Sequence, residues 1–233
     1  MTIQQMVVTT LPQVVTSNLA VWLDARGYSG SGTTWPKYTG GNNSTLVNTP
    51  TYTSTGPTYF SFSPASAEEA TLPALSSLTS WTIDTWFRVT SSLTGQVCSV
   101  VCDQYNGSSA LNFSLGTNNS PTDYKIRMGF FNGAWQNATG FTPTLNTWYH
   151  FVGTYDGTTL NEYINSSLNS TATSLGSSST GGTGIRIARR WDDVTTSTNY
   201  FPGDIAIVRI YSSAITAAQV IQNYTAEKSR FGI

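Results

Sequence analysis

Hydrophobic and polar positions alternate most clearly in two stretches of the chain. In the first, Trp81, Ile83, Thr85, Phe87 and Val89 alternate with Thr82, Asp84, Trp86 and Arg88. In the second, Tyr149, Phe151, Gly153 and Tyr155 alternate with Trp148, His150, Val152 and Thr154. A period of two places alternate side chains on opposite faces of a strand. Because each face of both stretches carries a large aromatic, the pattern predicts strands covered on one side and half covered on the other.

The same reading predicts strands over 19–23, 58–62, 81–90, 96–103, 110–115, 124–131, 148–155, 159–165, 184–189 and 203–211, separated by Gly, Pro, Asn and Ser turns. Asp156-Gly157 lies between two such runs and marks a hairpin whose central residues favour positive φ. Pro143 and Asn146 punctuate its entry, and 177–184 is a Ser/Gly-rich loop. One helix is predicted, over 216–227. Thr216 and Gln219 have capping-box spacing, and Ala217, Val220, Ile221 and Tyr224 share a face at helical spacing. Residues 1–17 read as an extended, β-prone arm broken by Pro12, which either wraps its own domain or reaches a neighbouring subunit. Residues 18–233 then form one all-β sandwich or jelly roll with a terminal helix.

Composition narrows the function classes. The chain has 233 residues, of which 39% are hydrophobic and 10% charged, well below the roughly 25% charged of ordinary globular domains. Ser, Thr, Asn and Gly fill the difference, which suits strands, turns and close packing against other proteins. Net charge is −1, with 11 basic and 12 acidic residues and no basic stripe. That argues against nucleic-acid binding by phosphate neutralisation. Arg186, Arg189 and Arg190 cluster locally and read as a solvated strand end rather than an anion site. No run approaches the roughly 18 apolar residues of a membrane span. Met1–Asn18 lacks the positive charge and apolar block of a signal peptide, which points to synthesis in the cytoplasm.

Cys98 and Cys102 share one apolar run. On a strand their Cα atoms would be about 13 Å apart, beyond the roughly 7 Å limit of a disulfide. They are expected to be buried free thiols on one face. His150 is the single histidine, so a soft-metal site is disfavoured. For calcium, which needs about six or more oxygens, the loop residues Asp192 and Asp193, with Asp103, are the best candidates. For glycans, the physical signature is an aromatic platform beside amide and carboxylate partners. Trp22, Trp81, Trp86 and Trp148 fall on strands and are assigned to the core. Trp135, Trp191 and Tyr105 fall in loops and are the lectin-type candidates, with Asn132 beside Trp135.

Three segments carry a family resemblance. The first is Leu19-Ala20-Val21-Trp22-Leu23-Asp24-Ala25 with the Gly/Ser-rich stretch up to Trp35. The second joins Trp81-Thr82-Ile83-Asp84-Thr85-Trp86-Phe87 to the segment from Asn146 to Gly157. The third runs Phe201-Pro202-Gly203-Asp204-Ile205-Ala206-Ile207-Val208-Arg209-Ile210-Tyr211 into Ala214-Ile215-Thr216. Together they resemble the laminin-G-like, concanavalin-A-like domains found in bacteriophage structural proteins. The ending, 222–233, is similar to the tails of virion proteins. Departures from the pattern, with Lys37 near an acidic position and Ser63-Pro64 in place of Asp-Gly, weaken an inherited calcium site.

The resemblance implies a jelly roll of two antiparallel sheets plus one short C-terminal helix. Hydrolases of this superfamily carry Glu-x-Asp-x-x-Glu on one strand, and the chain has no such run. Glu68 and Glu69 are adjacent and point to opposite faces of a strand, while Glu162 and Glu227 stand alone. A non-catalytic protein is therefore expected. The preferred reading is a virion structural or decoration protein, assembled in the host cytoplasm. Its partners would be other virion proteins and sister subunits in a homo-oligomer. The alternative is a lectin-like module for surface glycans, and a glycoside hydrolase is the remote third.

Overall fold

The structure is a computed structural model and describes residues 13–38, 43–75, 78–104, 110–117, 124–178, 182–192 and 196–233. The first half of the chain gives β1 (Leu19–Asp24), β2 (Thr34–Trp35), β3 (Ser44–Val47), β4 (Thr51–Thr53), β5 (Tyr59–Phe62), β6 (Glu69–Pro73), β7 (Trp81–Val89) and β8 (Ser99–Asp103). The second half gives β9 (Ala110–Thr117), β10 (Ile126–Asn132), β11 (Trp135–Asn137), β12 (Tyr149–Tyr155), β13 (Leu160–Ile164), β14 (Ser167–Ala172), β15 (Gly184–Ile187), β16 (Gly203–Tyr211) and the helix α1 (Ala217–Glu227).

The strands form two eight-stranded sheets. The first runs β14-β13-β12-β7-β16-β5-β4, with β1 also paired to β16, and the second runs β11-β10-β9-β8-β15-β6-β3-β2. All strand pairs described are antiparallel. The expected all-β jelly-roll sandwich with one short C-terminal helix is what forms. Its core lies between the sheets and includes Trp35, Phe60, Trp81, Phe87, Phe113, Phe130, Phe151 and Ile210. Burying each of these large side chains contributes roughly 1.5–3 kcal/mol.

Several strands escaped the periodicity. β2, β3, β4, β6, β11 and β14 are short or rich in Ser and Thr, so their alternation lacks hydrophobic contrast. The hairpin from β13 to β14 turns on Asn165 and Ser166, with φ of 48° and 68°, the left-handed pair that a two-residue type I′ turn requires. The hairpin from β12 to β13 forms where Asp156-Gly157 marks it, but only Gly157 takes positive φ, 105°. Asp156 instead closes the turn with its carboxylate, accepting from the Thr158 and Thr159 amides at 2.9 and 2.8 Å.

The two cysteines correct the expectation of a shared face. Both are buried and free. The pairing of β8 with β9 shifts register between Ser99 and Val101, so Val100 and Val101 both enter the core. This bulge reverses the alternation. Cys98 lies in the core between the sheets, whereas Cys102 packs against Trp191 on the outside of the second sheet.

The outer face of the first sheet is covered by the C-terminus. The capping box at Thr216 and Gln219 starts α1, but its buried stripe is Val220, Asn223 and Glu227, with Ile221 51% exposed. The helix therefore presents polar groups to the sheet, because the sheet offers buried charges. Asn223 Nδ2 donates to Asp84 Oδ2 at 2.7 Å, and Arg209 bridges Asp84 Oδ1 (3.3 Å) and Glu227 Oε1 (2.8 Å). Arg26 and Arg230 pair with Asp24, at 2.6 and 2.9 Å. Three carboxylates thus balance three guanidiniums, the condition under which buried charge is tolerated. Beside them Phe231 stacks on Trp86 with centroids 4.0 Å apart. The described end of the N-terminal segment also docks here: the Val15 amide donates to Asn223 Oδ1 at 2.8 Å, and Tyr211 Oη donates to the Val15 carbonyl at 3.0 Å. Residues 13–15 therefore wrap their own domain.

Candidate functional site

The outer face of the second sheet carries the loop aromatics, with Trp191 packed over Cys102. Its strand registers align Asn137, Gly129, Ser114, Cys102, Arg186, Thr71 and Thr45 in one row across seven strands. The alternation of β10 sends Ile126, Met128 and Phe130 into the core, so Arg127, Gly129 and Phe131 point outward. On β11, Trp135 sits opposite Phe131 and Asn137 opposite Gly129. A Cβ at Gly129 would lie 2.0 Å from Asn137 Oδ1. Glycine is what lets this amide side chain lie against the sheet.

Trp135 and Trp191 meet in this region. Their rings are 4.8 Å apart at 63°, and Phe131 approaches Trp135 edge-on at 5.5 Å. Trp135 is half-buried, while Trp191 is 8% exposed, seated over Cys102 and covered by the Arg190 guanidinium at 4.8 Å. The two indoles border a small cleft with Ser114, Thr117, Arg127 and Asn137. Its volume is about 10 Å³, room for one water at most. A larger ligand would lie across the rim, on the exposed part of Trp135.

Asn132 anchors a loop. Its Nδ2 donates to the carbonyls of Leu175 and Ser177 at 3.1 and 3.2 Å, and its Oδ1 accepts from Gln136, so it ties the loop after β14 to β10. Tyr105 and Asp193 lie outside the described residues. Arg127 and Asn137 were missed. The period-two pattern of 126–131 could have shown Arg127 facing outward, whereas a three-residue strand gives no pattern from which to place Asn137.

Of the calcium candidates, the two described each have a partner within the protein. Asp192 pairs with Arg190 Nε at 2.9 Å, and Asp103 Oδ2 accepts from the Gly182 amide at 2.8 Å. Among the described residues no three His, Cys, Asp or Glu side chains gather around a point that could hold a metal. The Arg186–Arg190 cluster is also built in rather than solvated. Arg189 pairs with buried Glu69 at 2.6 Å and is itself 8% exposed, and Arg186 is 5% exposed and donates to the Asp192 carbonyl.

His150 and Asp84 are fully buried, with Nε2 and Oδ1 3.1 Å apart. The imidazole lies against both Trp86 and Tyr224, with ring centroids 5.0 and 5.7 Å away, and its Nδ1 has no hydrogen-bond partner among the described residues. With both side chains fully buried, the pair has no exposed nitrogen or oxygen to offer a substrate. Burial alone would raise Asp84. The positive charges of His150 and Arg209, and hydrogen bonds from His150 and Asn223, outweigh it and hold the carboxyl at about 2. Burial beneath Trp191 pushes the Cys102 thiol up to about 12, so it supplies little thiolate as a nucleophile.

The two antiparallel sheets form a β-sandwich of the lectin and glucanase class. The chain belongs to the concanavalin A-like lectin/glucanases superfamily, whose family model matches residues 63–221. No curated protein sequence matches significantly. Among solved structures, domain 4 of AbnA is similar; it comes from a GH43 extracellular arabinanase of Geobacillus stearothermophilus and was solved with arabinotriose. Its TM-score is 0.69 at 17% identity, covering 89% of this chain and 98% of that one. A Trypanosoma rangeli sialidase matches with a TM-score of 0.65 at 13% identity, over 93% of this chain but only 34% of the sialidase. The binding domain of Paraclostridial Mosquitocidal Protein 1 matches with 0.62 at 15%, over 89% and 52%. At these identities the likeness is one of fold. No helix among the described residues is long and apolar enough to cross a membrane.

Proposed function

We propose that the chain is a non-catalytic carbohydrate-binding module whose sugar site is the rim around Trp135. The observation that carries this reading is the partly exposed Trp135 indole, fixed by edge contacts from Phe131 and Trp191 and bordered by Arg127 and Asn137. The apolar face of a sugar ring stacks on an indole that is already immobile, so little rotamer freedom is lost on binding. The neighbouring guanidinium and amide supply donors and an acceptor for hydroxyls. The superfamily and the arabinotriose-bound arabinanase domain are in keeping with this.

A hydrolytic reading is less favoured. Retaining chemistry needs two carboxyl groups about 5–5.5 Å apart, one of them protonated. On this face Glu69 and Asp192 are each neutralised by an arginine. Retention on immobilised arabinan, xylan, β-glucan and mannan tests the proposal. Retention by at least one of them, lost in Trp135→Ala, is the expected result. Release of reducing sugar by the wild type would contradict it.

A second reading sets this module in a virion, beside capsid or tail proteins and sister subunits. The 10% charged composition supports it, since a low-charge surface is readily buried. Light scattering on the purified chain checks the oligomer, and a monomer at all concentrations counts against self-assembly.

A further inference from the structure

The part of the first sheet's outer face that α1 leaves uncovered holds a second polar row. Thr51, Ser61, Asp204 and Arg88 are consecutive partners across β4, β5, β16 and β7. They line an open groove of about 580 Å³, together with Tyr59 and the turn Ser63–Ser66. That volume falls within the range of small-molecule sites, roughly 300–1,000 Å³.

From this groove we infer a second ligand site, for a neutral polyhydroxyl compound such as a sugar unit, on the sheet opposite Trp135. The argument rests on charge and preorganisation. Arg88 is locked in place: it pairs with Asp204, donates to Tyr59 Oη at 3.0 Å, and lies over the rings of Tyr59 and Trp148 at 4.9 and 5.1 Å. Its side chain is still 25% exposed, while that of Asp204 is 4% exposed. The pair is therefore neutral overall yet offers donors from the guanidinium and acceptors from the carboxylate. A hydroxyl, which both donates and accepts, matches such a surface. The hydroxyls of Thr51 and Ser61 extend it along the groove.

A full charge fits less well. An anion would face Asp204 and Glu68, and a cation would find Asp204 already taken. Glu68, the remaining carboxylate, accepts from the Ser63 amide at 2.7 Å, and burial raises its pKa, so it is a weak counter-ion. The site needs nothing from Trp135, so it stands or falls independently of the face proposed above.

Amide chemical shifts test it. The ¹⁵N-labelled full chain is titrated to tens of millimolar with the methyl glycosides of glucose, galactose, mannose, xylose and arabinose. The expected result is saturable shifts at Thr51, Ser61, Arg88 and Asp204 with at least one of them, unchanged in Trp135→Ala. The groove shifts are lost in Thr51→Phe, which is exposed and fills the groove from its rim; Ser61→Phe does the same where it folds. Shifts confined to the Trp135 face, no groove shift with any of the five, or groove shifts that survive Thr51→Phe would overturn the inference.

Discussion

His150 Nε2 lies 3.1 Å from Asp84 Oδ1 with both side chains fully buried, and this contact ties β12 to β7 beneath the C-terminal helix. The pair makes stability depend on acid. The folded-state pKa of Asp84, about 2, is below its ordinary 3.8. A depressed carboxyl contributes stability that is fully present above the unfolded value and is lost as pH falls through the folded one. The contribution, on the order of 2 kcal/mol, should disappear between about pH 4 and pH 2. Denaturant midpoints measured across that window should fall in the wild type. Asp84→Asn should be weaker at neutral pH by roughly 3–5 kcal/mol, because Arg209 loses a buried partner, and flatter in acid. An Asp84→Asn midpoint that falls as steeply as wild type would contradict this.

Glu162 is buried with no cation paired to it among the described residues, and hydrogen bonds compensate it instead. It accepts from the amides of Met128 (2.6 Å) and Gly140 (2.9 Å), from Asn169 Nδ2 (3.3 Å) and from Ser170 Oγ (2.7 Å). It thereby joins β13 and β14 of the first sheet to β10 of the second. In Glu162→Gln the new amide would direct a donor at one of these donors. The cost should be about 1–3 kcal/mol, read by chemical denaturation with an unchanged m-value. A neutral substitution would show that the carboxylate is not needed.

The tryptophan pair separates binding from stability. Trp191 is nearly buried, so Trp191→Ala should cost roughly 3–5 kcal/mol and disturb Trp135 with it. Trp135→Ala removes less buried area and should cost about 1–2 kcal/mol while abolishing polysaccharide retention. Parallel melting and retention measurements check both. Equal destabilisation by the two changes would mean that Trp135 is a packing residue.

The thiols should be inert. Burial pushes Cys98 and Cys102 up to about 12, so near neutral pH neither supplies appreciable thiolate. A thiol reagent such as Ellman's should label neither in the native chain and both in denaturant. Rapid native labelling would contradict the burial of the one that reacts.

How far the sequence revealed this arrangement depended on hydrophobic contrast. Trp81–Val89 and Tyr149–Tyr155 alternate strongly, and both strands form at the centre of the first sheet. Ser167–Ala172 pairs just as regularly but carries one large apolar residue, Leu168, 57% exposed, so no period marks it. At the helix, Ile221 satisfies an apolar face on paper but points to water. Asn223 and Glu227 take the buried positions because Asp84, Tyr211 and Arg209 lie opposite, a fact of the sheet that the helix sequence does not contain. Trp135 and Trp191 stand out as aromatics in turn-rich segments. Their meeting depends on the loop after β15, where Ala188 takes a φ of 65°, a conformation rare outside glycine.

The account turns on Trp135 meeting a sugar. The chain has seven tryptophans, so its indole N–H resonances can be followed individually, with Trp135 assigned from Trp135→Ala. When the oligosaccharide of a retained polysaccharide is added, the Trp135 indole resonance should move and saturate, while those of buried Trp35, Trp81 and Trp86 stay in place. Retention on the polysaccharide with the Trp135 resonance unmoved would contradict it.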